Sequence, residues 1–161
     1  MRGRPGRRNF VAYQINNAMR RSITRGLSLL TGLGLVFIGV RFLLAPRVGA
    51  EGFGVFLPSG SSYAFHYAKG IRDVFSGLLM VVFVGRGYDR ALGWVMLLGT
   101  LIPSVDVAVV LAQPTATLAL ELPHLIAIGL CLGLGISFLT APAAAADFSV
   151  RQPQALAGQA S

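Results

Sequence analysis

Apolar residues dominate four stretches of the chain, and the polar residues between them act as punctuation. The first stretch runs from Leu27 to Ala45 with Arg41 as its only charge, and Pro46 ends it, since proline cannot continue a helix cheaply. The second is short. Val74 to Gly85 is apolar but falls below the roughly 20 residues a membrane helix needs. Extended back to Ser62 or Tyr63 it has the length, at the expense of including Lys69, Arg72 and Asp73. The third stretch, Ala91 to Ala112, contains Pro103 and Asp106, and the fourth, Ala116 to Thr140, contains Glu121, Pro123 and His124. This pattern predicts an all-α, polytopic membrane protein with four transmembrane helices in an up-down bundle.

The segments outside these runs differ in kind. Residues 1–8 are rich in Arg, Gly and Pro, a composition that predicts disorder. Over residues 9–25, Val11, Ile15, Met19 and Ile23 recur every fourth position among arginines. That spacing fits either an interfacial amphipathic helix or an extension of the first span. Residues 46–61 carry Gly49, Gly52, Gly54, Pro58 and Gly60 and predict a loop whose Phe53, Val55, Phe56 and Leu57 rest on the interface. Residues 86–90 and 113–115 are short turns, making helices two and three, and three and four, antiparallel neighbours. The tail from residue 141 is rich in Ala, Pro and Gln and predicts disorder. The expected organisation is a basic arm (1–25), a transmembrane domain (26–140, spans near 27–45, 63–85, 91–112 and 116–140) and a tail (141–161).

Composition agrees with the membrane assignment. Of 161 residues, 54% are hydrophobic and 12% charged, against about 25% charged in soluble domains. Mean hydropathy is +0.67. So few charges cannot cover a water-facing surface, which argues against a soluble enzyme, a disordered chain or a disulfide scaffold. The net charge of +8 arises from 14 basic and 6 acidic residues, and seven arginines lie within the first 25 positions. A basic arm ahead of a hydrophobic body reads as a contact with anionic lipid head groups, and nucleic acid is not expected as a partner. With four spans and a cytoplasmic N-terminus, the inner side holds the seven arm arginines plus Arg86, Arg90 and Arg151, while the outer side holds Arg47. The positive-inside rule therefore puts both termini in the cytoplasm and the protein in the cell membrane. An Arg-rich, acid-free start also fits the mitochondrial inner membrane if the source is eukaryotic. Val48-Gly49-Ala50 resembles a signal-peptidase site, but the basic region is long and Arg41 interrupts the apolar core.

The charges inside the spans are the candidate chemistry. A charge at a helix centre costs about 2.5–3.5 kcal/mol on insertion scales, so each must face a partner or a cavity. Measured from the cytoplasmic ends at about 1.5 Å per residue, Arg41, Arg72, Asp106 and His124 all lie about 21–24 Å deep. Glu121 lies a turn nearer the outer surface, and Lys69 and Asp73 form an i,i+4 pair. Pro103 and Pro123 free backbone carbonyls near this layer, and Ser104 and Thr100 add acceptors. The expectation is a polar chamber bounded by Arg41, Arg72, Asp73, Asp106 and His124, with His66 and Glu51 exposed at the outer surface. Gly129 and Gly133 have the GxxxG spacing of close helix packing. Cys131 is the single cysteine, so no intramolecular disulfide forms, and no metal-ligand spacing or cofactor motif is present.

Lys69-Gly70-Ile71-Arg72-Asp73 followed by Ser76-Gly77, then Arg90-Ala91-Leu92-Gly93-Trp94 and Ile102-Pro103-Ser104-Val105-Asp106, make a recognisable series. Arg41-Phe42-Leu43-Leu44-Ala45-Pro46, Phe53-Gly54-Val55 and His124 extend it. Over roughly residues 27–140 the chain resembles an uncharacterised group of small four-helix membrane proteins, domain-of-unknown-function family four-two-six-seven. The resemblance implies that fold and a shared polar core, implies no activity, and favours a retained first span over a cleaved signal.

Three functional readings follow. The preferred one is a non-enzymatic bundle that binds a lipid or lipophilic small molecule, or supports a membrane complex. The second is a membrane-embedded acid–base enzyme of isomerase or cyclase type, with Asp106 or Glu121 as acid or base and Arg72 stabilising negative charge. The third is a small proton-coupled transporter, which four helices could form only as an oligomer such as a homodimer. No nucleophile–base motif, HExxH or P-loop is present.

Overall fold

The structure is a computed structural model that describes residues 7–141, with side chains from residue 13 onward. The disorder expected at residues 1–8 and in the tail falls almost wholly outside these residues. The described residues form helices and no strands. They are α1 (Arg7–Leu44), α2 (Pro46–Phe53), α3 (Ala64–Arg86), α4 (Asp89–Gly99), α5 (Leu101–Leu111) and α6 (Leu118–Thr140). Three helical stretches are long and apolar enough to cross a membrane: Tyr13–Leu44, Asp89–Leu111 and Leu118–Thr140. α3 has the same length as α6, 23 residues, but carries Lys69, Arg72 and Asp73 within it.

α1 runs without a break through residues 9–25, so its backbone extends the first apolar helix rather than forming a separate one. α4 and α5 form one helical rod with a turn at Thr100. The break has a local cause. Pro103 lacks the N–H that would reach the carbonyl of Gly99, and its ring crowds that carbonyl. Residues 46–53, expected as loop, form a helix instead. Pro46 opens it at a position where a missing N–H costs nothing, and Gly54 ends it in the left-handed region (φ 95°), its N–H bonding back to the final turn. Phe53 and Val55 are buried beside Phe42 and Val110 rather than resting on an interface.

The long helices pair with their chain neighbours at the two ends of the sequence and only weakly at its middle. α1 packs along α3, and α4–α5 packs along α6, whereas α3 touches α4 only lightly and α1 barely meets α6. The first pair is closed by glycines. A Cβ on Gly39 would lie 2.6 Å from the Gly70 carbonyl, and one on Gly32 would lie 3.0 Å from the Gly77 carbonyl. Gly32 and Gly39 are seven residues apart, as are Gly70 and Gly77. Two turns therefore bring each pair back to one face, and the matches 32 with 77 and 39 with 70 make the helices antiparallel. In the second pair, Gly93 admits Leu139 and Phe138, and Gly135 admits Leu97. Gly129 and Gly133, the expected GxxxG contact, have nothing within 4 Å of an added Cβ. They lie on an exposed face of α6, since the packed side of that helix is fixed by Leu134, Gly135 and Phe138.

The two pairs are joined at both ends. At the Arg25 end, Met80, Leu92, Met96, Leu134 and Phe138 form one core. Arg21 and Arg25 there both bond Asp89, at 2.6 and 2.7 Å. Arg20 donates to the Ser137 carbonyl and the Thr140 hydroxyl. At the α2 end, Phe42, Phe53, Val55 and Val110 form a second core.

Candidate functional site

The buried face of α3 is spelled by His66, Lys69, Gly70, Asp73, Gly77 and Met80. Steps of three and four residues keep these on one side of the helix, so α3 turns its charges inward and leaves Ile71, Phe75, Leu78 and Val82 exposed. The charges meet Asp106 of α5. Lys69 Nζ donates to Asp73 Oδ2 at 2.9 Å and to Asp106 Oδ2 at 3.0 Å. Arg72 Nη2 donates to Asp106 Oδ1 at 3.1 Å, and Arg72 Nε reaches Asp73 Oδ1 at 3.4 Å. Two cations thus alternate with two carboxylates, and the cluster is neutral. The side chains of Lys69, Asp73 and Asp106 are 5%, 4% and 7% exposed, and that of Arg72 is 33% exposed. The Lys69 ammonium also lies 4.7 Å from the Phe53 ring centre and 5.3 Å from that of Phe42, where a ring face attracts a cation. Desolvated charges in this number are tolerable because each has an opposite partner in hydrogen-bonding range.

Arg41 and His124 lie near this cluster without joining it. Arg41 is exposed, and its only hydrogen bond among the described residues is a long one, 3.4 Å to the Val48 carbonyl. Its guanidinium lies along Gly52 of α2. His124 meets Phe53 edge-on at 4.9 Å, with Nε2 3.4 Å from the Phe53 carbonyl. Glu121 is buried, and neither carboxylate oxygen has a hydrogen-bond partner among the described residues. Glu51 is exposed and pairs with Arg47 at 3.1 Å. His66, expected at the surface, is buried. It stacks on Phe42 at 5.9 Å, meets Tyr63 and Phe65 edge-on, and has no hydrogen bond at either ring nitrogen among the described residues. Its place three residues before Lys69, on the same helix face, was the available signal.

The expected polar chamber takes a different form. A cavity of about 480 Å³ lies between the two helix pairs and the two cores. Its charged groups and imidazole, from Arg41, Lys69, Asp73, Asp106 and His124, gather toward α2, and Thr31 and Ser76 also line it. Arg72 and Glu121 do not line it. The rest is largely apolar, with Leu35, Met80, Ile102 and Leu130 among the residues that form it. The hydroxyls of Thr100 and Ser104 are directed to carbonyls of their own helix, those of Met96 and Thr100, so they add little polarity. Gly34 and Gly99 line the cavity with nothing within 4 Å of an added Cβ, and Cys131 lines it from α6. Among the described residues no group of three or more His, Cys, Asp or Glu could hold a metal ion.

A family model described as Domain of unknown function (DUF4267) matches residues 32–138, well over half of the chain. The chain belongs to that family. No curated protein and no solved structure matches it.

Proposed function

We propose that this member of the DUF4267 family is a four-span bundle of the cell membrane that holds a lipophilic molecule between its two helix pairs. On this reading α3 is the fourth membrane helix. Its 23 residues reach about 35 Å at 1.5 Å per residue, enough to cross the hydrocarbon layer. Its three charges face the bundle and are neutralised there, while its outward positions are apolar. Four antiparallel crossings starting from the basic arm put both termini in the cytoplasm, in keeping with the arginine distribution.

The cavity is the observation that carries the proposal. Its volume lies within the roughly 300–1,000 Å³ typical of small-molecule sites, and a mostly apolar wall with a few converging polar groups is their usual composition. The acid–base alternative has less support from the geometry. Both oxygens of Asp106 are engaged by cations, and Glu121 does not line the cavity.

The test uses the full chain in a neutral detergent, with the methyl ester of a conjugated long-chain polyene acid as a fluorescent apolar probe. Saturable one-to-one binding is expected. Gly34→Leu, which puts a side chain into the cavity and replaces a poor helix former, should abolish binding while unfolding at the same temperature or higher. Equal probe binding by wild type and a stably folded Gly34→Leu would refute the proposal. For the topology, a reporter fused after Ser161 that is active only in the cytoplasm is expected to be active.

A further inference from the structure

The charge balance of the cavity points to the chemistry of the occupant's head group. The four charges where α3 meets α5 cancel within their own cluster, Lys69 and Arg72 against Asp73 and Asp106. The exposed cation of α2 is also matched, Arg47 by Glu51. Arg41 is the remaining charge on the cavity wall, and no carboxylate pairs with it among the described residues. Its guanidinium has five N–H donors, of which the Val48 carbonyl engages one at 3.4 Å. Gly52, beside the guanidinium, and His124, against Phe53, also line the cavity there. The wall at this end of the cavity therefore offers unspent donors and one positive charge without a carboxylate on the wall to balance it, Glu121 lying off the wall. The Asp73 and Asp106 oxygens beside it are already occupied by Lys69 and Arg72.

From this imbalance we infer that the occupant is a long-chain carboxylate, its head on Arg41 and its chain among the apolar residues of α1, α3, α4 and α6. This rests on the reading of the cavity as a lipophilic site. A guanidinium fork matches a carboxylate in shape and charge. One unbalanced cation suits a monoanion better than a phosphate monoester, which carries about 1.5 to 2 negative charges. Arg41 and Thr31 both line the cavity on α1, ten residues apart, so it extends about 15 Å along that helix. A neutral amphiphile would leave the Arg41 charge unmatched, and a cationic one would be repelled by it.

The experiment compares the polyene acid with its methyl ester on the full chain in neutral detergent. Wild type, Arg41→Gln, Arg41→Lys and Gly34→Leu are measured together. The acid is expected to bind about tenfold or more tightly than the ester, the range of a hydrogen bond to a charged group. Arg41→Gln should erase that preference by weakening the acid and leaving the ester unchanged. Arg41→Lys should retain part of it, and Gly34→Leu should remove both ligands. Equal binding of acid and ester by wild type, both lost in Gly34→Leu, would overturn the carboxylate assignment and leave the lipophilic site standing. Saturable binding of neither ligand would overturn both. Native mass spectrometry supplies a second arm. A retained phospholipid that palmitate does not displace overturns the carboxylate assignment, and displacement by palmitate in wild type but not in Arg41→Gln supports it.

Discussion

Asp106 ties the two helix pairs together through one buried cluster, and this makes a double-mutant cycle with Lys69 the sharpest test of the architecture. In Asp106→Asn the side-chain volume is kept and the charge is lost. Lys69 retains Asp73 at 2.9 Å, but Arg72 keeps only its 3.4 Å contact with a carboxylate, Asp73, beside a neutral amide at position 106, and the cluster becomes net positive. In Lys69→Met the two carboxylates face one guanidinium. Breaking a buried pair by removing one partner costs about 3–5 kcal/mol. Arg72 is one-third exposed, so solvent screens part of the imbalance, and about 3 kcal/mol is expected for each single variant. The double variant is neutral again. Arg72 and Asp73 remain a pair, the amide introduced at position 106 can still accept from Arg72, and the thioether introduced at position 69 would lie on the rings of Phe42 and Phe53. A coupling of about 2–3 kcal/mol is therefore expected.

Thermal unfolding in one neutral detergent at one scan rate, followed through Trp94 fluorescence, reads these differences. At about 2–4 °C per kcal/mol for a chain of this length, each single variant should unfold about 6–12 °C below wild type. The double variant should unfold close to either single, about 4–12 °C above the sum of the two single shifts. If it falls by the sum of the two single shifts, the four charges do not act as one electrostatic unit, and the account of how α3 meets α5 is wrong.

Gly77→Val should strongly destabilise the protein, because its side chain would meet the backbone of α1 at Gly32 and Val36. Gly133→Val, with open space around it, should change stability by less than about 0.5 kcal/mol, and comparable melting temperatures for the two would contradict the glycine seam. Cys131 lines the cavity, so alkylation by N-ethylmaleimide in detergent should slow several-fold when palmitate is added, and an unchanged rate would count against occupancy there. Asp89→Asn removes the negative charge shared by Arg21 and Arg25 and one of the two oxygens that accept from them. These pairs are partly exposed, so a loss of about 1 kcal/mol that shrinks in high salt is expected, and a salt-independent loss would point to a different cause.

The helical character of the chain was legible because long apolar runs leave few alternatives. The meeting of the α3 charges with Asp106 was partly legible, since charges set within apolar segments favour partners. The choice of partners was less legible, because helix rise gives depth and says nothing of azimuth. Arg41 has the depth of Arg72 and Asp106 yet lies against α2 rather than in the cluster. Lys69 looked like a local partner of Asp73 and also crosses to Asp106. Turn length was a partial guide, since the turn at 113–115 does join packed neighbours, α4–α5 with α6. The five residues 86–90 make α3 and α4 sequence neighbours, but their close contacts are with α1 and α6. What decides this is the glycine spacing. Gly32, Gly39, Gly70 and Gly77 carry a readable seven-residue register in both helices, whereas the GxxxG at Gly129 and Gly133 has the familiar spacing on the wrong face. The short helix α2 was hidden by its glycines. Gly49 is there because Phe42 occupies the space of its Cβ, and Gly54 because the helix must end.

These packing choices account for the placement of the cavity. A glycine seam brings α1 and α3 into backbone contact, and Gly93 and Gly135 do the same for α4 and α6. Each pair is therefore closed before it meets the other, and its inward side chains have little room to adjust across the gap. The links between pairs sit at the ends: Asp89 with Arg21 and Arg25 at one, Asp106 with Lys69 and Arg72 at the other. Between them, Gly34 and Gly99 leave the walls without side chains that could close the space. Tight pairs, tied ends and bare walls together set a fixed volume in the middle of the molecule, with one polar corner. Substitutions at the ties should thus change stability, whereas substitutions at Gly34 should change occupancy. A Gly34→Leu protein that lost stability and kept its ligand would invert that division and remove the structural basis for a preformed site.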